Sequence, residues 1–338
     1  MNAQVEQPGT SKLDEAEAHL AGGVPGAFAR ILFGRLPPED LAPYAPATLA
    51  ALASSAHAFV SQPRGEGHAV RLSDVEVDLG GRRRELTVVE ILNDNMPFLL
   101  DSALAEIVDQ GYEPRFVAHP ILALERDGAG RLLTLLGEAT STNAGGGQRE
   151  SLIHVHLDRI DAEEARSRLV EGLDKTFADV RVAVNDWHAM RGRLAEIISS
   201  YRYTPPPLPA AEIDEAVAFL TWMSGDNFTL LGVREYRFPT GDTAADPVEG
   251  SGLGILRDPQ VRVLRRGGRL VVMTPEIRAF LDRPKALIVA KANVKSRVHR
   301  RVHLDYVGVK LFSQRGRPEG ELRMVGLFTA NASTGSAS

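Results

Sequence analysis

The stretch Val89-Glu-Ile-Leu-Asn-Asp-Asn-Met-Pro-Phe-Leu-Leu-Asp-Ser102 decides how the chain around it folds. It opens inside an apolar strand running from Leu86 to Leu92, which Asn93, Asp94 and Asn95 end in small polar side chains. Met96 precedes a proline and is biased toward extended backbone, so the spacing predicts Pro97 as the first residue of a helix. Leu99, Leu100, Ala103, Leu104, Ile107 and Val108 then recur as one apolar stripe, which Gly111 ends as a C′ glycine. A strand, a polar loop and a helix start leave backbone N–H groups unpaired where the helix dipole favours a carboxylate or another anion. This is the outline of a ligand corner. The plainer alternative is that Asn93, Asp94 and Asn95 are only turn and capping residues.

Working outward, residues 1–24 read as a disordered or frayed N-terminus. Lys12 to Ser61 is Ala- and Leu-rich helical text, broken at Gly22-Gly23, Pro25 and Pro37-Pro38. Ala47 to Phe59 follows Pro46 and carries no Asp, Glu, Lys or Arg, which predicts a helix lying against the domain. His68 to Leu79 alternates apolar and polar residues, and Gly80-Gly81 turns the chain back into the decisive strand. On the other side, Phe116 to Leu124 is a buried strand interrupted by Pro120, which argues for an edge position or a bulge. Asp127-Gly-Ala-Gly130 is a hairpin turn into Arg131–Leu136. Ser151 to Asp158 alternates cleanly, with Ile153, Val155 and Leu157 on one face and His154 and His156 on the other. Leu169, Leu173 and Phe177 line the next helix, and another starts at Asp186.

The run Pro205-Pro-Pro-Leu-Pro209 is the clearest boundary, because consecutive prolines favour a stiff extended linker. It makes residues 204–210 a linker between residues 25–203 and 211–329, with 330–338 a disordered tail. Beyond it the pattern predicts a helix over Ala211–Met223. Strands follow over Phe228–Phe238, Val261–Leu264, Leu270–Met273, Leu287–Lys291, Tyr306–Ser313 and Leu322–Thr329. One helix followed by many short strands fits an α+β domain with a mainly antiparallel sheet.

Bulk properties narrow the function classes. At 338 residues, 43% hydrophobic and 25% charged, the chain has globular composition and room for two domains. A net charge of −5 gives no global attraction to nucleic acid or anionic membranes. The absence of cysteine excludes disulfides, thiolate catalysis and sulfur-ligated zinc, and points to a cytoplasmic location. The N-terminus has no signal-peptide pattern, and no window approaches the roughly 18 apolar residues of a spanning helix.

No complete catalytic constellation is present. Gly250-Ser-Gly-Leu-Gly254 fails the dinucleotide spacing because Ile255 follows, and no strand precedes it; a hairpin loop is the better reading. His154 and His156, with His119, offer metal-ligand chemistry, although paired histidines on a strand are more often ordinary sheet-face residues. Lys291–Arg301 is locally basic, with Tyr306 and Phe312 nearby, one route to single-stranded RNA; a solvated loop or a charge-paired surface outweighs it.

Several long strings together resemble the N-terminal region of the large bacterial NAD-specific glutamate dehydrogenases. They are Val89–Ser102, Glu150-Ser-Leu-Ile-His-Val-His156, Val184-Asn-Asp-Trp187, Lys291-Ala-Asn-Val-Lys-Ser-Arg-Val-His-Arg300 and Leu304-Asp-Tyr-Val-Gly-Val-Lys310. The likeness runs from about residue 25 to Thr329. It implies N-terminal helices, a ferredoxin-like ACT-type βαββαβ domain and a second, sensor-like α+β domain. Full-length relatives would oxidise glutamate to 2-oxoglutarate and ammonia with NAD⁺. The dehydrogenase domain lies several hundred residues further on, so the resemblance implies no catalytic residue and no cofactor in this chain, which reads as truncated. ACT-type modules bind amino acids near the first strand–helix loop, commonly between paired modules. Here that loop gives Asn93, Asp94, Asn95, Met96 and Asp101 as the effector site, with Asp94 or Asp101 holding the ammonium. Such loops often carry glycine next to the proline, where this chain has Phe98. The implied partners are an amino-acid effector, another copy of the chain or the remaining dehydrogenase domains. The competing expectation is a ligand-free oligomerisation module.

Overall fold

The computed structural model describes residues 8–139, 147–238, 246–266, 269–271, 276, 279, 283–313 and 315–329. The chain forms two compact units, residues 1–177 and 178–338.

In the first unit, helices α1 (Pro8–Ala18), α2 (Phe28–Phe33), α3 (Pro38–Leu41) and α4 (Pro46–Val60) precede strands β1 (Ala69–Asp78) and β2 (Arg83–Asp94). Then come α5 (Leu99–Asp109), β3 (Phe116–Ala118), β4 (Ile121–Arg126), β5 (Leu132–Glu138), β6 (Gln148–Asp158) and α6 (Glu163–Asn185), which carries the chain past the division. The sheet is wholly antiparallel in the order β1-β2-β6-β4-β5, with β3 also on β6.

Strand alternation sorts its two faces. Val88, Leu92, Leu122, Leu124 and Leu152 form one core with Phe28, Phe33, Leu49, Leu52, Ala56 and Phe59 of the N-terminal helices. On the opposite face, Thr87 accepts the Ile160 N–H just ahead of α6 (3.0 Å), beside the buried Val89, Ile91, Ile153 and Val155. There α5 and α6 meet side by side: Gln110 donates to the Arg168 carbonyl (3.0 Å), and Thr176 donates to Glu106 (3.3 Å).

The ACT-type arrangement is present with two departures: β5 is an extra strand on the outer side of β4, and the strand beside the first comes from elsewhere in the chain. In a βαββαβ module the outer strand beside the first comes last, after the second helix. Here β1, placed ahead of the module, occupies that position, and its ten-residue register with β2 closes through the Gly80-Gly81 turn. Pro120 lies between β3 and β4 in the sheet interior, where its carbonyl accepts from Leu152 (3.1 Å). It therefore breaks a strand rather than marking an edge.

Two expectations need correction. Residues 8–18 are helical, and Leu13 and Ala16 are buried in the core, so the frayed-terminus reading fails there; residues 1–7 lie outside the described residues. The proline run lies inside the second unit, between α7 (Trp187–Tyr203) and α8 (Ala210–Trp222). The reason is packing: Met190, Leu194, Ile197 and Tyr201 of α7 join Ala216 and Leu220 of α8 in one core with Val233, Val307, Val309, Leu322 and Met324.

Those last residues belong to the second sheet, built from β7 (Phe228–Arg237), β8 (Asp246–Pro247), β9 (Leu253–Gly254), β12 (Leu287–Lys295), β13 (His303–Phe312) and β14 (Pro318–Phe328). Its order is β12-β13-β14-β7-β8, antiparallel throughout, with β9 also on β7. Strands β10 (Leu264–Arg266) and β11 (Arg269–Val271) form a separate two-stranded hairpin, and just ahead of it the Val263 carbonyl accepts from the Asn293 N–H of β12 (2.9 Å). Both units are thus α+β. The expected tail, residues 330–338, lies outside the described residues, and no helix among those described is long and apolar enough to cross a membrane.

The turn glycine Gly130 ties the loop after α4 to the β4–β5 hairpin. Its carbonyl accepts from the Arg64 N–H (3.0 Å) and from Arg126 (2.9 Å). Its φ is +76°, and a Cβ there would stand 2.0 Å from the Arg64 carbonyl oxygen. Gly130→Ala is expected to cost at least about 1–2 kcal/mol from the left-handed backbone alone, read as a lower urea midpoint.

Candidate effector corner and the polar core beside it

Strand β2 ends at Asp94, and the Asn95 N–H still donates to the Arg149 carbonyl (2.9 Å), which continues the pairing with β6. Helix α5 begins at Leu99, two residues later than the proline rule predicts. Pro97 lies in a turn, and Phe98 adopts φ +71°, ψ 0°, the left-handed region. That conformation aims the Phe98 carbonyl along the helix, where it accepts from the Ser102 N–H (3.1 Å) and hydroxyl (2.5 Å). The chain holds a bulky residue in backbone that glycine adopts freely, at about 1–2 kcal/mol. No side chain caps the start of α5.

The five candidate residues fall into different environments. Asn93 is buried as a strand residue of β2 paired with Ser151, and its amide donates to the Asp94 carbonyl (2.8 Å). The Asp94 carboxylate is exposed but paired with Arg64, which also donates to the buried Glu150 (2.8 Å). Arg126 grips the same Glu150 through Nε (2.7 Å) and Nη2 (2.9 Å), and donates to the Val60 carbonyl at the end of α4 (2.9 Å). Asp94 therefore already serves a structural cation. Asn95 is exposed and Met96 is half-buried. Asp101 is exposed in the first turn of α5. It acts on His119, whose pKa burial and Arg35 push down and the Asp101 charge pulls up. Of the two carboxylates expected to hold an ammonium, Asp101 is the better placed.

The three histidines do not converge. His119 contacts Ser151 through Nε2 (2.5 Å), whereas His154 and His156 lie on the other face of β6 among the N-terminal helices. Among the described residues no group of three or more His, Asp or Glu side chains is arranged to hold a metal ion.

His154 and His156 instead belong to a buried hydrogen-bonded chain that pattern reading did not assemble. Tyr44 Oη lies 2.9 Å from His156 Nδ1, His156 Nε2 lies 2.9 Å from His154 Nε2, and His154 Nδ1 lies 3.1 Å from Glu90. Arg71 donates to the same carboxylate (2.7 Å) and to the Ser55 carbonyl (2.8 Å) of α4. With both imidazoles neutral, donation in one direction satisfies every atom: Tyr44 to His156, His156 to His154, His154 to Glu90. Phe116 stacks on the His156 ring (4.5 Å), and Phe33 meets His154 edge-on (5.9 Å). The available signal was Glu90 itself, a carboxylate on the strand face shared by Val88 and Leu92.

Two further expectations fall on the second unit. Leu253–Gly254 pairs with β7 as a strand, and the Gly254 N–H donates to the Asp186 carboxylate (2.8 Å), which also binds Arg257 (3.1 Å). The Gly254 N–H is thus already taken by a carboxylate. Tyr306 is fully buried against Glu321 and Arg323 and offers no stacking face. In the basic stretch, Lys291 pairs with Asp305 (2.5 Å) and Arg297 with Asp179 (3.2 Å), as a charge-paired surface would.

An ACT-type α+β unit with a strand–loop–helix corner is the class that this geometry defines, and comparison with known proteins agrees. Residues 28–173 match the family described as glutamate dehydrogenase, ACT1 domain. The chain is 31% identical over 332 residues to the NAD-specific glutamate dehydrogenase of Halomonas elongata, covering 97% of this chain and 20% of that protein. It is 29% identical over 273 residues to the NAD-specific glutamate dehydrogenase of Pseudomonas aeruginosa, covering 78% and 16% respectively. The chain is homologous to the N-terminal region of NAD-specific glutamate dehydrogenases and spans about a fifth of the length of these relatives.

Two outcomes follow from the buried chain. Tyr44→Phe removes the donor to His156 Nδ1 and is expected to cost about 1–3 kcal/mol in urea unfolding. Burial and the neighbouring His154 hold the His156 pKa well below its usual value. Below pH about 6.5 the unfolded chain therefore takes up a proton that the folded chain refuses, and stability falls as the pH drops. Burial lowers His57 and His119 in the same sense. The Glu90 carboxyl, which burial raises but His154 and Arg71 lower further, adds to the loss below pH about 4.3. Calorimetric melting from pH 7 to pH 5 should show a falling midpoint, with a shallower fall in His156→Asn.

Proposed function

We propose that this chain is the control region of a NAD-dependent glutamate dehydrogenase and that an amino-acid effector binds at the corner formed by Asn95, Met96 and Asp101. The observation that supports this reading is the uncapped start of α5, placed directly after the central strand of an ACT-type sheet. N–H groups in the first turn suit the ligand carboxylate, and the exposed Asp101 suits its ammonium. Asn93 and Asp94 shape the loop from behind, through the Asn93 amide and the Arg64 pair. Glutamate oxidation itself belongs, in this proposal, to a catalytic domain outside these 338 residues, with NAD bound there. The partners are the effector, other copies of the chain and that catalytic domain, in the cytoplasm.

A second reading has one observation in its favour. Strand β5 is an edge of the first sheet, and it exposes Leu133 (64%) and Leu136 (44%). An exposed apolar edge strand invites pairing with another chain and would make the unit an assembly module without a ligand.

Isothermal calorimetry of the 338-residue chain against the twenty amino acids is expected to give heat for one or a few of them, lost in Asp101→Ala. Flat traces for all twenty, with a multimeric mass by size exclusion that no amino acid changes, would replace the sensing reading with the assembly one.

A further inference from the structure

Among the described residues, one sheet face of the second unit buries Arg234, Arg323 and Lys310 beside the buried carboxylate of Glu321. Val233, Val307, Val309, Leu322 and Met324 point toward α7 and α8. Alternation places Arg234, Tyr236, Tyr306, Glu321 and Arg323 on the opposite face. Arg234 of β7 and Arg323 of β14 are direct partners in the antiparallel register. Like charges at such positions repel, the more so when both are buried.

Arg323 is well provided for. Its Nη2 reaches Glu321 (3.2 Å), its Nε donates to the Tyr306 hydroxyl (3.1 Å), and its guanidinium lies 4.1 Å from the Tyr236 ring centre. The Tyr306 hydroxyl donates to Glu321 as well. The Glu321 carboxylate is thus occupied by Arg323 and Tyr306.

Arg234 is only 3% exposed and has no carboxylate partner among the described residues. Its Nη2 donates to the Arg257 carbonyl (2.6 Å), and its Nε has no hydrogen-bond partner among the described residues. Nε and Nη2 form one edge of the guanidinium, the edge that grips a carboxylate or phosphate with two parallel N–H···O bonds. One half of that fork is empty and the other rests on a neutral carbonyl. A buried guanidinium left in that state is costly, and a counter-anion would relieve the cost.

The covering segment is rich in glycine. A Cβ on Gly252 would stand 2.2 Å from Arg234 Nη2 and 2.5 Å from the Leu256 carbonyl oxygen, so the Gly252 backbone packs directly against the fork. Gly250 and Gly254, at φ +72° and +58°, flank it and supply backbone freedom on both sides.

We propose that Arg234, beneath the segment from Gly250 to Arg257, is the recognition group of a binding site for a small anion, a carboxylate or a phosphate. The anion replaces the Arg257 carbonyl on Nη2, takes the unpaired Nε, and shifts the Gly252 backbone outward. This site lies in the second unit and does not depend on the amino-acid corner of the first.

The test is thermal melting of the full 338-residue chain in chloride, inorganic phosphate or succinate at one fixed ionic strength. Phosphate or succinate is expected to raise the wild-type midpoint in a saturable way, and the stronger of the two identifies the anion class. Arg234→Met removes the uncompensated charge, so it should melt no lower than wild type in chloride and bind at least about tenfold more weakly. Asp101→Ala, which disables the corner, should keep the wild-type anion response. The proposal is overturned if neither anion gives a saturable shift in the wild type, or if Arg234→Met responds as the wild type does. Should Arg234→Met not fold, Arg234→Gln takes its place, and the wild-type titration decides on its own.

Discussion

A carboxylate in the middle of β2 sets the terms on which the first unit can assemble. Glu90 is 1% exposed, and no arrangement that leaves it unpaired would hold. Its partners come from three directions: Arg71 from β1, His154 from β6 and, through His156, Tyr44 from the turn ahead of α4. A slip of one residue between β2 and either neighbour would carry Glu90 to the face packed by α5 and α6, away from all of them. Buried ion pairs contribute little net stability, because desolvation offsets their attraction. What this one supplies is register, and through Ser55 and Tyr44 it also ties α4 and the turn ahead of it to one defined face of the sheet.

The elements most legible in the sequence were those with a clean period. The stripe from Leu99 to Val108, the alternation of Ser151–Asp158 and the uncharged helix after Pro46 all stand in the structure close to their expected limits. The corner between β2 and α5 was legible as strand, loop and helix. Its electrostatics were not, because Arg64 reaches Asp94 across 30 residues and Glu150 across 86, and local pattern carries no such information. The start of α5 was misplaced for a local reason: Phe98 adopts a backbone conformation that side chains of its size avoid. The helical text from Lys12 already covered most of α1. The frayed-terminus reading of residues 1–24 failed there because Leu13 and Ala16 are sparse apolar residues in polar text, and packing against the other N-terminal helices makes them core. The proline run does separate two helices, but a break between helices does not say whether they share a core.

The two units place polar groups inside their sheets in different ways. In the first, every member of the chain from Tyr44 to Arg71 has a partner, and aromatic rings close over the imidazoles. In the second, Arg323 is enclosed by two tyrosines and Glu321 while the arginine opposite it keeps an unpaired nitrogen. A fully matched network favours one conformation, whereas an incomplete one leaves free energy for an outside group to recover. The homology covers both units, and the ACT1 match covers the first.

The position of β1 bears on how the molecule comes together in time. In a ferredoxin-like sheet the strand beside the first returns from the far end of the module, so its pairing closes a loop of many tens of residues. Here that neighbour is joined by a four-residue turn, from Asp78 to Arg83, and the pairing is as local as a sheet allows. Loop-closure entropy is correspondingly small, and pairings of low sequence separation are reached early. The nascent chain can therefore lay down one border of its sheet as a hairpin before the histidine-bearing strand has left the ribosome.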